Sequence, residues 1–265
     1  MTSHSGFRLH KGTVSAVLGG TGDLWKESGD TFTLSRANTY TGDTLVNAGT
    51  LALSGAGSIH GSPAVHVAGG AAFDVSAVAG GVHSLASGQT LAGGGSVVGQ
   101  LVVTDGSSLS PGASPGTLTH SGSQTWMGGG TYLWEINNPN AAAGADPGWD
   151  FLDISGTLTL DATEANPFVI DVISLTTDNV AGPLASFSSA VEYSWTLATA
   201  GDGIAGFAPE LFDVRLDHFA NDWGGRWQVG LAGNSLVLNY IPEPSTFVLA
   251  AMGMLAAAFF RRNRR

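Results

Sequence analysis

The stretch Gly19-Gly20-Thr21-Gly22-Asp23-Leu24-Trp25-Lys26-Glu27-Ser28-Gly29-Asp30-Thr31-Phe32-Thr33-Leu34-Ser35-Arg36-Ala37-Asn38-Thr39-Tyr40-Thr41-Gly42-Asp43-Thr44-Leu45-Val46-Asn47-Ala48-Gly49-Thr50-Leu51-Ala52-Leu53 decides the fold. Phe32 and Leu34, then Leu45, then Leu51 and Leu53 place apolar groups on one face with Thr, Ser and Asn between them. That is the period-two pattern of a half-buried strand. Thr41-Gly42-Asp43 and Asn47-Ala48-Gly49 break the runs with residues that tolerate positive φ, as tight corners require.

Shorter units of the same kind recur downstream: Val65-His66-Val67, Ala71 to Val75, Leu85 to Leu91, Ser96-Val97-Val98, Leu101-Val102-Val103, Ser108-Leu109, Gly116 to Thr119 and Gly156 to Leu160. No helical periodicity separates them, so the spacing predicts a solenoid that winds several short strands per coil. Ser110-Pro111-Gly112-Ala113-Ser114-Pro115-Gly116 reads as a double Pro-Gly turn. Composition agrees. Glycine supplies 39 of 265 residues, roughly double the ordinary share of about 7%, and it costs a helix interior about 1 kcal/mol relative to alanine. Hydrophobic residues make up 43% of the chain and the mean hydropathy is +0.17, which argues against disorder.

The formal net charge is -11, and no Lys or Arg lies between Arg36 and Arg215. A long stretch carrying only carboxylates repels a polyanion, so no nucleic-acid partner is expected. With no cysteine, a disulfide framework, a zinc ribbon and a thiol nucleophile are excluded.

Leu34-Ser35-Arg36-Ala37-Asn38-Thr39-Tyr40-Thr41-Gly42 and Val46-Asn47-Ala48-Gly49-Thr50-Leu51 resemble the autotransporter-associated β-strand repeat, also called the passenger-associated transport repeat. The resemblance covers about residues 19–53 and implies a right-handed parallel β-helix. The chain shows no run of amphipathic barrel strands closing on a terminal aromatic.

Ile241-Pro242-Glu243-Pro244-Ser245-Thr246 precedes an apolar run, Phe247 to Phe260, and then Arg261, Arg262, Asn263, Arg264 and Arg265. As a helix the 14 residues of the run span about 21 Å, short of the ~30 Å hydrocarbon core unless flanking residues extend it. The tail resembles the PEP-CTERM sorting signal of Gram-negative bacteria. Pro242, Glu243 and Pro244 match the motif, Phe247, Val248, Leu249, Leu255, Phe259 and Phe260 belong to the membrane segment, and Arg261, Arg262, Arg264 and Arg265 form the basic stop. The resemblance implies an exosortase as partner, attachment to the membrane through the helix before processing, and a final place in the envelope, at the cell surface or outside the cell. Residues 1–18 lack the apolar core of a signal peptide, so the start is expected upstream, or the chain is a fragment.

For chemistry, the densest carboxylates are Asp146, Asp150 and Asp153. They are weighed as a glycosidase pair or a calcium site and expected instead to be turn and strand-edge residues. The histidines are scattered, with no close pair on one strand except His60 and His66. Trp126, Trp134 and Trp149 could stack on sugar rings, but the alternation of Tyr132, Trp134 and Ile136 favours a buried face. No cofactor or metal is expected.

The reading is therefore all-β: a right-handed parallel β-helix with an antiparallel C-terminal cap and a single C-terminal hydrophobic helix. It divides into an N-terminal segment 1–18, a solenoid 19–125, an aromatic-rich cap 126–240 formed by segments around Phe212, Trp227 and Leu236 as an antiparallel set, and the tail 241–265 with its helix at 247–260. The expected function is a non-catalytic envelope or extracellular-matrix protein sorted by exosortase, with extracellular polysaccharide a candidate partner. The alternatives are a carbohydrate-binding or carbohydrate-active β-helix and an adhesin fragment.

Overall fold

A computed structural model describes residues 1–243. Strands follow one another in a fixed cycle around three faces. Phe7–Leu9 belongs to the first sheet and Gly12–Val14 to the second, and Gly19–Gly20 lies on the third face. The next circuit repeats this with Leu24–Lys26, Thr31–Leu34 and Thr39–Tyr40, each paired parallel with its predecessor. The cycle continues to Phe212–Arg215, which gives nine coils on the first sheet. Parallel pairing, with one short 3-10 turn at Pro209–Leu211 as the only helical element among the described residues, agrees with the β-solenoid expected from the punctuated alternation.

Register is what builds the core. On the first sheet Phe7, Leu24, Thr44, Val65, Leu91, Leu109, Tyr132, Ile170 and Val214 are successive ladder partners, one per coil. On the second, Phe32, Leu51, Phe73, Val97, His120, Ile154 and Ala200 form the equivalent row. Strands of a coil face one another across a narrow interior, so an inward side chain packs mainly on the same position of the coils above and below. Leu24, Leu51, Phe73, Val97 and Leu109 are fully buried this way. Leu45 departs from the expected pattern: Thr44 and Val46 are the buried residues of Thr44–Val46, and Leu45 points outward. The linear alternation is one residue out of phase there, because Thr44 is buried by its contacts with the Tyr40 and Ser62 hydroxyls, 2.6 and 2.9 Å away.

Coil length follows from these numbers. Adjacent row members are 17 to 26 residues apart as far as Tyr132, then 38 to Ile170 and 44 to Val214. The parallel ladder crosses residue 125 without interruption, since Val103 pairs with Trp126 and Trp126 with Leu160. Beyond it the extra chain goes into loops and larger side chains fill a wider interior.

The antiparallel set forms as expected in part. Ser235–Pro242 pairs antiparallel with both Tyr193–Ala200 and Gly225–Ala232. Phe212–Arg215, expected in that set, instead adds parallel to Phe168–Ser174 as the ninth strand of the first sheet. Phe212 and Val214 stack on Phe168 and Ile170 and so extend the inward row. The expected helix at 247–260 lies outside the described residues.

Corners are set by glycine where the coils approach most closely. Gly99 and Gly122 turn the chain between the second and third sheets at φ +112° and +151°. A Cβ on Gly122 would lie 2.0 Å from the Gly99 carbonyl oxygen, and one on Gly99 would lie 2.7 Å from the Ser76 nitrogen. Gly99→Ala and Gly122→Ala are each expected to lower stability by about 1–3 kcal/mol. Gly29→Ala, where an added Cβ meets nothing within 4 Å, should leave it unchanged; urea denaturation of the three variants checks this.

Candidate functional site

The C-terminal tail grows directly out of the second sheet. Pro242 is the last residue of Ser235–Pro242 and lies opposite Gly225. A proline at the end of a strand removes a ladder donor at a position where pairing stops anyway. Glu243, which follows, is exposed. Pro242 therefore ends the strand within the motif itself, and the Glu243 N–H still reaches back to Gly224 O at 3.5 Å. Gly225 admits this close approach of the two strands, because a Cβ there would stand 2.6 Å from the Ile241 oxygen.

The strand that carries the motif is rooted in aromatic packing. Tyr240 is fully buried, and its hydroxyl lies 2.7 and 2.8 Å from the carbonyl oxygens of Gly224 and Ser189. Its ring sits 5.1 Å from Trp227, which is 5.5 Å from Trp195, which in turn stacks on Tyr193 at 5.0 Å. The Trp195 indole N–H donates to Pro139 O at 3.0 Å, tying the 137–148 loop to the same cluster. Burial raises the Tyr240 hydroxyl pKa, so this phenol stays protonated.

The carboxylates singled out from sequence do not converge. Asp146 accepts from the amides of Asn137 and Asn179 at 2.7 and 2.8 Å, and so closes the loop against the 175–182 segment. Asp153 points outward and accepts from the Thr199 hydroxyl at 3.0 Å. Asp150 is fully buried rather than a turn or edge residue. One of its oxygens accepts from Gly116 N–H at 2.9 Å, the other from Glu135 N–H at 3.0 Å. It thus fastens the Pro-Gly turn to the first sheet. Burial pushes its pKa up, opposed by those two N–H donors. Among the described residues no three His, Asp or Glu side chains stand together as a metal set.

Trp126 and Trp134 are fully buried and Trp149 nearly so, which makes them packing residues and leaves no sugar platform from the three. Trp126 stacks on Phe168 with ring centroids 4.5 Å apart. His60 pairs in space not with His66 but with His83, their rings 5.7 Å apart.

Sequence reasoning missed the polar groups inside the coils. Lys26 occupies an inward position of the first sheet, with no exposure at all. Its ammonium donates to the carbonyls of Ser28 and Ala48 and to the Ser28 hydroxyl. Burial lowers its pKa, and Asp30 partly offsets the shift. His83 and His120 also face inward. His120 Nε2 lies 2.7 Å from Gly99 O, while its Nδ1, like His83 Nε2, is buried without a partner. Ladder register is the signal that identifies His120 as inward, since it falls in the row between Val97 and Ile154.

Residues 26–53 match the Passenger-associated-transport-repeat, and residues 241–265 match the PEP-CTERM protein-sorting motif. The first match spans slightly more than one circuit, from Lys26 on the first sheet to Leu53 on the second of the following coil. The second begins inside the strand Ser235–Pro242. No curated protein matches the chain. A chain joining this sorting motif to an autotransporter-type repeat has the organisation of an exported, exosortase-sorted surface protein.

Two outcomes follow from the buried polar groups. Asp150→Ala leaves two buried N–H donors unpaired and is expected to cost about 2–5 kcal/mol, whereas Asp153→Ala should be close to neutral; denaturant midpoints distinguish them. Burial holds His83 and His120 down at a pKa of about 4, against 6.5 for a free histidine. The unfolded chain therefore takes up more protons as pH falls from 6.5 to 4, and the native state loses stability across that window. Relative to the double variant His83→Leu/His120→Leu, the native chain should lose on the order of 1.4 kcal/mol per histidine for every pH step of one within that window. Asp150, whose raised pKa works in the opposite sense, is common to both proteins and cancels in the difference.

Proposed function

We propose that this chain is a non-catalytic structural protein of a Gram-negative cell envelope or extracellular matrix, delivered there by an exosortase acting on its tail. The observation that carries the reading is the continuity between the coil stack and the motif. Pro242 is still paired in the sheet, and Glu243 is already exposed, so the sorting motif begins at the edge of the folded body. An enzyme seated in the membrane would meet Pro242-Glu243-Pro244 as the first accessible peptide below the folded domain. The apolar run from Phe247 and the arginines from Arg261 would hold the chain at the inner membrane until then. Among the described residues no helix is long and apolar enough to cross a membrane.

The absence of a catalytic role is supported by where the acids are used. Asp146 and Asp150 hold a loop and a turn, and Asp153 bonds a neighbouring threonine. A stack of coils held by backbone ladders is a rigid rod-like spacer, a shape suited to a surface or matrix component.

The test is intact mass and fractionation of the protein in its host, with and without Pro242→Ala/Glu243→Ala/Pro244→Ala. The native chain is expected to lose its tail and leave the inner membrane, while the variant keeps its tail and stays there. A native chain recovered uncleaved in the cytoplasm would overturn the reading.

A further inference from the structure

We propose that a groove beside Gly225–Ala232 binds a neutral polysaccharide strand, with Trp223 as its stacking platform. The groove lies between Phe212–Arg215 of the first sheet and Gly225–Ala232 of the second. Its volume is about 720 Å³, within the roughly 300–1,000 Å³ of ligand clefts. It is lined by the aromatic residues Phe212, Trp223 and Trp227 together with Glu210, Arg226 and Gln228, among others.

Trp223 stands apart from the other six tryptophans. It is 44% exposed, whereas each of the others is partly or fully buried. An indole left in water is apolar area that a ligand face can cover. The rest of the aromatic wall is fixed in place. Trp227 packs on Phe219, Tyr240 and Trp195 with ring centroids 5.0, 5.1 and 5.5 Å away, and Phe212 meets Phe168 edge-on at 6.4 Å. Rings held this way lose little conformational freedom when a ligand arrives. The Trp227 indole N–H is also buried without an acceptor among the described residues. The Trp195 and Trp149 indoles, by contrast, bond to Pro139 O and Thr196 O. A ligand hydroxyl at the edge of the Trp227 ring is the acceptor that the bare wall lacks.

The mixture of surfaces selects the ligand. A sugar ring offers apolar C–H faces to an indole and hydroxyls to carboxylate, guanidinium and amide groups. Glu210 and Arg226 are exposed, and neither is held in an ion pair among the described residues, so both keep hydrogen-bonding capacity for a ligand. A lipid chain or an apolar peptide would strip these groups of water and return no partner. Charge narrows the class further. Residues 201–243 carry six carboxylates against two arginines, and one of the two, Arg215, is held by Asp213 at 3.0 Å. Such a surround repels uronate or sulfate polymers and admits neutral ones.

This names a partner class for the matrix role proposed above and rests on that role only for where the polysaccharide is met; the binding itself belongs to the folded body. The experiment is isothermal titration calorimetry on the purified full chain, in a polyoxyethylene-ether detergent whose headgroup contains no sugar. Cellopentaose, laminaripentaose and mannopentaose are the neutral probes and pentagalacturonate the acidic one. At least one neutral probe is expected to bind with an affinity that salt leaves unchanged, and pentagalacturonate is expected not to bind. Trp223→Ala should weaken the binding about tenfold or more, while Trp223→Phe, which keeps a ring face, should retain most of it. Circular dichroism and the urea midpoint establish that each variant is folded, and Arg226→Ala/Gln228→Ala, expected to weaken binding likewise, decides in place of Trp223→Ala if that variant is not. None of these readouts depends on whether the tail is cleaved in the host, so delivery by exosortase stands or falls separately. No binding of any neutral probe, a folded Trp223→Ala that binds as the native chain does, or a preference for pentagalacturonate that fades with salt would each overturn the proposal.

Discussion

Every coil in this protein rests on the one before it. With so few residues per circuit, a single coil cannot enclose a core, and the inward residue of each strand is covered by its ladder partners rather than by distant parts of the chain. Parallel register is therefore the condition for burial: slipping a strand by one residue would turn Leu51 or Phe73 to solvent and leave its neighbours uncovered. The rows that run from Phe7 to Val214 and from Phe32 to Ala200 are the physical form of that condition. The glycine corners serve it as well. Only a residue without a Cβ allows the backbones at Gly99 and Gly122 to approach closely enough for the sheets on either side to keep their spacing.

Polar side chains enter this interior on strict terms. Lys26 gives its protons to carbonyls at a corner, and Asp150 takes two N–H donors from different coils. Both are cross-links between backbone segments that side chain and strand geometry leave unpaired. His83 and His120 are less completely satisfied, and their neutrality follows from burial. The stack thus tolerates charge where the backbone offers partners and excludes it where it does not.

Much of the fold is legible from residues alone. Alternation in 31–53 and the Gly-Asx corners define strands and turns, and their recurrence without helical spacing defines a solenoid. The tail is legible because its three parts occur in a fixed order from Pro242 to Arg265. What cannot be read is anything set by register between distant coils. Thr44 and Lys26 look like outward residues in a linear reading and are buried only because hydroxyls and carbonyls of neighbouring coils meet them. Asp150 resembles a turn residue because its partners, Gly116 and Glu135, are 34 and 15 positions away. The direction of Phe212–Arg215 is hidden for the same reason: an aromatic strand near the end suggests a lid, whereas its parallel pairing depends on Phe168–Ser174 beneath it.

The strand Ser235–Pro242 lies between two antiparallel neighbours, and the sorting tail follows it in sequence. Its ladder bonds are perpendicular to the strand axis. A pull along that axis therefore loads the bonds on both flanks together, in shear, instead of opening them one after another like a zipper. Tethered at its C-terminus, the body would resist mechanical extraction through the collective strength of two ladders and the interlocked rings of Tyr193, Trp195, Trp227 and Tyr240.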